Sequence, residues 1–183
     1  MSQILTSDPA PDFDDPINLL KACHQRILGF CDLLKKIVAH AAQDDISSEV
    51  HQAAQKVHRY FSTAGQYHTE DEEQDLFPLL IDSSPETAPI IDELREQHIA
   101  IHTTWVQLAP VLSRPTLINE TPEFETWVNT FCEAYHEHIQ IEETELFAVA
   151  EQILGAEQLR QLGENMKARR EKCQIELLPS LNS

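Results

Sequence analysis

Glycine is scarce, with four residues in a chain of 183. So few freely adaptable backbone positions argue against the many tight turns of a sandwich or barrel of short strands. The ten prolines fall mostly between periodic stretches, which favours long helices with short breaks. Basic residues are also few: 13 Lys and Arg stand against 31 Asp and Glu, for a formal charge of -18. That balance repels nucleic acid and anionic membranes and favours solubility and the attraction of cations, although a solvated acidic surface accounts for most of it. No apolar run approaches the ~20 residues of a membrane span. The opening MSQILTSDPAPDFDD lacks the basic and apolar regions of a signal peptide. Cys23, Cys31, Cys132 and Cys173 are scattered, with no C-x-x-C pair or zinc-ribbon spacing. The expectation is a cytoplasmic protein with free, packed thiols.

What is present is helical periodicity. Asp14-Asp15-Pro16 reads as a helix start, and Leu20, Ile27, Leu34 and Val38 recur at helical spacing up to about His40. A second helix is expected from the turn Asp44-Asp45-Ile46-Ser47 to about Phe77, where Pro78 should kink or end it. A third opens at Pro85 and Pro89 and runs to about Leu112, with Pro110 as a kink point. A fourth follows Thr121-Pro122-Glu123 and reaches about Leu154; a short fifth spans about Glu157 to Lys172. Four long helices with short connections predict an all-α, antiparallel up-down four-helix bundle with a short additional C-terminal helix. Residues 1–13 are expected as a flexible arm, 14–175 as the domain and 176–183 as a tail.

The chain also repeats itself. His68-Thr-Glu-Asp-Glu72-Glu73-Gln-Asp-Leu76-Phe77 and His138-Ile-Gln-Ile-Glu142-Glu143-Thr-Glu-Leu146-Phe147 both read H-x-x-x-E-E-x-x-L-F. Upstream of each, Leu20 and Ile27 flank His24 as Leu94 and Ile101 flank His98. Residues four apart on a helix point within about 40° of one another. His68 and Glu72 therefore share a face, as do His138 and Glu142. A buried face carrying such groups is costly unless they are paired or bind metal. His24, His68, Glu72, His98, His138 and Glu142 together form six candidate ligands at the bundle centre. Six nitrogen and oxygen donors without thiolate suit iron, manganese or zinc. Two carboxylates suffice to bridge two ions, each keeping two imidazoles and room for a small ligand.

These motifs resemble the hemerythrin-like HHE cation-binding family, from His24 to about Arg170, including the closing Leu162-Gly163-Glu-Asn-Met166-Lys-Ala-Arg169-Arg170. The resemblance implies a non-haem, carboxylate-bridged di-iron centre that binds oxygen, nitric oxide or peroxide, or handles iron. An enzyme reducing peroxide or oxygen, or oxidising iron, is the alternative on the same centre. Oxygen-carrying members have a fifth histidine and an Asp five residues after the last motif's His; this chain has no Asp there. His102, one turn after His98, is the candidate fifth ligand, although its counterpart is Leu28. The paired-cysteine module of the iron–sulfur repair members is absent. Ferritin-like proteins need Glu-x-x-His twice, whereas Glu133-x-x-His136 is the one such pair. His40, His51, His58 and His136 read as surface or structural, and Glu70, Glu73 and Glu143 as solvated, with Glu70 or Glu73 within reach of a flexible site as the alternative. No sensing or DNA-binding domain is attached, so signalling would need a partner protein; a homodimer is the other candidate assembly.

Overall fold

A computed structural model describes residues 11–42 and 46–176. Asp44-Asp45 of the expected first turn, most of the N-terminal arm, the final seven residues and the side chain of Cys173 lie outside the described part. Among the described residues there is no strand, and no helix is long and apolar enough to cross a membrane.

Helix α1 (Pro16–Ala41) starts where Asp15-Pro16 places it, with proline in its first turn. Asp15 makes no side-chain cap; it instead accepts from Asn18 Nδ2. Leu20, Ile27 and Leu34 are fully buried, while Ile37 rather than Val38 completes the stripe. The expected second helix is broken. Helix α2 (Ser48–Phe61), capped by Ser47 Oγ on the Val50 amide, ends at Phe61, and α3 (Ala64–Asp71) resumes beyond Ser62-Thr63. A π-helical turn over Glu72–Leu76 then leads into α4 (Phe77–Ser83). The helix therefore passes through Pro78 instead of ending there.

Helix α5 (Ala88–Ser113) follows a 3-10 turn, and Pro110 sits inside its last turn without ending it. Helix α6 (Phe124–Ile141) leads through a second π turn, Glu142–Leu146, into α7 (Phe147–Ile153). Thr121 does not cap α6; its hydroxyl donates to the Leu117 carbonyl. Helix α8 (Ala156–Glu176) is longer than expected and lies across α1, α3 and the first π turn.

Four rods thus surround one axis, with α1 between α2 and α6, and α5 between the same two. Their core is split. One apolar cluster holds Ile27, Leu34, Phe61, Leu108, Val128 and Phe131; the other holds Leu20, Phe77, Leu80, Leu94, Phe147 and Met166. Along α1, His24 falls between Leu20 of one cluster and Ile27 of the other; along α5, His98 falls between Leu94 and Ile101. The polar layer sits between two dry ones. Helix α8 closes the second cluster with Leu162 and Met166. A Cβ at Gly163 would collide with the Phe13 carbonyl oxygen, so the chain before α1 lies there only because that side chain is a hydrogen.

Candidate metal centre

All six residues singled out in the sequence meet in the layer between the two apolar clusters, and all six are buried. The imidazoles pair within each half of the chain: the His24 and His68 ring centres are 4.8 Å apart, and those of His98 and His138 are 4.4 Å apart. The carboxylates cross between the halves. Glu72 directs Oε1 at His68 Nε2 (3.1 Å) and Oε2 at His98 Nε2 (3.4 Å). Glu142 Oε2 lies 3.3 Å from His138 Nε2 and 3.0 Å from His24 Nε2. Two groups of potential ligand atoms result, each within 4.8 Å: His24, His68, Glu72 and Glu142, and Glu72, His98 and His138. Glu72 belongs to both.

Among the described residues, nine buried side-chain nitrogen and oxygen atoms lack a hydrogen-bond partner, and every one belongs to these six residues. Eight of them are the four Nε2 atoms and the four carboxylate oxygens, all turned inward; the ninth is His68 Nδ1. Native interiors rarely strand buried polar atoms. A cluster of stranded atoms in one layer fits a group that supplies positive charge to all of them at once.

The other face of the layer is satisfied. His24 Nδ1 donates to Glu143 Oε1 (2.9 Å), His98 Nδ1 to Glu73 Oε1 (2.8 Å) and His138 Nδ1 to Gln97 Oε1 (3.0 Å). With the outer nitrogen held as a donor, Nε2 is the nitrogen each ring would offer to a metal once any second proton has left it. Glu73 and Glu143 are therefore not solvated as expected; they are 30% and 34% exposed and orient ligand-side histidines across the bundle. The repeated E-E doublet was the signal for them. Gln97 carried no such signal.

The π turns explain the rest of the repeat. In an α-helix Leu76 and Phe77 point about 100° apart, yet both are fully buried. Phe77 N–H donates to the Glu72 carbonyl five residues back, and Phe147 N–H does the same to Glu142. The wider turn brings each phenylalanine over the layer: Phe77 stacks on His98 (5.9 Å) and Phe147 on His24 (5.3 Å). Pro78 is not the cause, because Ala148 holds the equivalent place in the second half and the π turn forms there too.

The model of the hemerythrin HHE cation-binding domain matches residues 15–150. The chain belongs to the hemerythrin HHE cation-binding family. A protein of Haemophilus influenzae, described as an "Uncharacterized protein", is 32% identical over 171 residues, covering 92% of this chain and 98% of that one. The family match contains the six clustered residues and stops short of α8, so the likeness expected for Leu162–Arg170 lies outside it.

In this hemerythrin-like domain α8 nonetheless grips the centre. Asp71, next to Glu72 and fully buried, receives Arg169 Nη1 and, at 2.7 Å, Arg170 Nη2. Arg169 also reaches Asp75, and Arg170 lies over the rings of Phe13 and Tyr67. Charge inside the layer is set by the carboxylates. Burial works against the His24 imidazolium, but Glu142 and Glu72 outweigh it and raise its pKa to about 10. Glu72 and Glu73 likewise raise His98 to about 9 against its burial. Burial pushes His68 down to about 4. Without metal, two imidazolium rings thus face two carboxylates.

A cavity of about 320 Å³ leads to the layer at His98, between Phe61, Trp105, Phe131 and Tyr135, with Thr69, Glu70 and His102 also lining it. His102 is exposed and joins neither ligand group, and His136 is exposed on the far side of α6 from His138. His102→Ala and His136→Ala are accordingly expected to retain wild-type metal content by elemental analysis. A large loss in the first would make His102 a fifth ligand after all.

Proposed function

We propose that His24, His68, His98 and His138 hold two non-haem iron ions through Nε2, with Glu72 and Glu142 bridging them, and that the centre binds dioxygen, nitric oxide or peroxide. The observation that supports this most is the set of stranded atoms: four imidazole nitrogens and four carboxylate oxygens, buried and facing one another, with no hydrogen-bond partner. Four nitrogens and four oxygens shared by two ions leave open positions for a small ligand. The donor set suits iron, manganese and zinc alike; iron rests on the resemblance to the hemerythrin family alone.

When bound, the ions would supply electrons and open coordination positions to a ligand arriving through the cavity. The protein's own contribution is orientation and exclusion. Glu143, Glu73 and Gln97 fix three histidine tautomers; Phe77 and Phe147 cover two rings; Phe61, Phe131 and Tyr135 line the approach with apolar surface. The cavity also favours a second reading, a peroxidase-, oxidase- or ferroxidase-like enzyme. Its volume of about 320 Å³ holds several molecules of water size, each needing ~30 Å³, and so admits more than a diatomic gas.

The deciding experiment is elemental analysis and optical spectroscopy of protein expressed with iron, then reduced without air and exposed to each ligand. Two irons per chain with oxo-bridge absorption are expected. Reversible oxygen binding would favour the carrier or sensor, and repeated peroxide consumption the enzyme. No iron, or a single zinc, would end the two-iron reading.

Loading should also release protons. His24 and His98, with pKa values raised to about 10 and about 9, are protonated at neutral pH, and a metal needs their lone pairs. An indicator dye at pH 7 should therefore report acid on metal addition, and affinity should fall as pH falls. For the metal-free protein, both folded pKa values lie above the unfolded value of ~6.5. Their stabilisation is complete below that pH and is lost as pH rises through about 9 to about 10. Metal-free protein should melt earlier at pH 10 than at pH 7.

A further inference from the structure

The two halves of the layer share their six central residues position for position and differ on the outer side, most directly in one hydrogen-bond acceptor. His138 Nδ1 has Gln97 as its acceptor at 3.0 Å. Gln97 immediately precedes His98 on α5; the corresponding residue on α1, immediately preceding His24, is Cys23. A thiol is shorter than a glutamine side chain and a weak acceptor. Cys23 is buried, and His68 Nδ1, buried beside the layer, is left without a hydrogen-bond partner. Of the four rings, His68 alone lacks an outer acceptor.

We propose that the two ion positions are unequal: the position between His98 and His138 fills first, and the position between His24 and His68 is the weaker, exchangeable one, because Cys23 stands where the other half has an amide acceptor. The inference rests on the two-ion reading of the six residues. An outer acceptor fixes the tautomer and orientation of a ligating ring, and its loss typically costs 10–100-fold in metal affinity. Two effects oppose this. The ligand group at His24 and His68 gathers both carboxylates and that at His98 and His138 only Glu72, although Glu142 Oε2, 3.3 Å from His138 Nε2, is within reach of that position too. Arg95 Nε lies 3.1 Å from Glu73 Oε2 and draws charge from the carboxylate that supports His98, whereas Glu143 supports His24 without an arginine of its own among the described residues. Both carboxylates are about a third exposed, so water screens that difference; the missing partner of His68 is buried and unscreened. Orientation outweighs charge here.

The test is a titration of the full, metal-stripped chain with cobalt(II) under nitrogen, followed by calorimetry and by the visible absorption of the bound ion. Two steps are expected, with dissociation constants about 10–100-fold apart. Cys23→Gln should tighten the weaker step by up to that factor and draw the two together. Gln97→Ala should weaken the tighter step, with the same convergence from the other side. Since Gln97→Ala only removes atoms, it keeps the test valid should glutamine at position 23 disturb folding. Two equal steps in the wild type, or two steps that neither substitution moves, would overturn the inference and leave two ions per chain standing. Fewer than two ions bound would sink the two-ion reading itself, and the inequality with it.

Discussion

Glu72→Ala is expected to strip the protein of most of its metal. One Glu72 oxygen faces His68 and the other faces His98, so the side chain spans both imidazole pairs. Its removal would take a charged donor from each of the two ions proposed. The loss in affinity should exceed the ~100-fold that a missing outer partner can cause. Because metal binding energy is also folding energy, the melting temperature with metal present should drop to that of the stripped wild type. Glu142→Ala should behave alike, since Glu142 Oε2 touches a histidine of each pair. Glu72→Gln keeps the volume and one carbonyl oxygen and should fall between. Unchanged metal content in both alanine variants would remove the bridging role.

The second large effect lies outside the layer. Removing both guanidiniums in Arg169→Ala/Arg170→Ala leaves the fully buried Asp71 carboxylate unpaired. Breaking a buried ion pair from one side costs about 3–5 kcal/mol, or roughly 6–20 °C in a domain of this size. Asp71→Ala should cost less, about 1–2 kcal/mol, because it removes the buried charge itself. The two arginines retain solvent, and Arg169 retains Asp75. Burial raises the pKa of Asp71 even with both arginines in place, so the intact cluster contributes little net stability and its value appears only on one-sided removal. Chemical denaturation of the three proteins checks the order. A double variant with the wild-type midpoint would make the contact ornamental.

The centre was legible in the sequence because its signal is local. His68 with Glu72, and His138 with Glu142, are related by four residues of helix, and helix geometry alone puts each pair on one face. What was illegible depends on partners far away in the chain. Glu143 supports His24 from a different rod, and Glu73 supports His98 in the same way; seen alone, each is one more acid in an acidic chain. The break at Ser62-Thr63 has no proline, and Thr63 is held there by its hydroxyl on the Arg59 carbonyl. The π turns leave His-to-Glu spacing untouched and betray themselves only through the burial of two consecutive residues, Leu76 and Phe77. Asp71 looked like its acidic neighbours until α8 folded two arginines onto it.

The crossing of the carboxylates has a consequence in time. Glu72 serves His98 from the other half, and Glu142 serves His24, 118 positions earlier in the chain. Neither half can complete either group of potential ligands by itself. A growing chain that has emerged only as far as α5 already carries His24, His68, Glu72 and His98, yet it lacks the helix that closes the layer. Capture of the ions proposed here must therefore wait until α6 and its π turn have docked. Metal uptake would mark the end of assembly, and a chain that stalled before that point would remain empty.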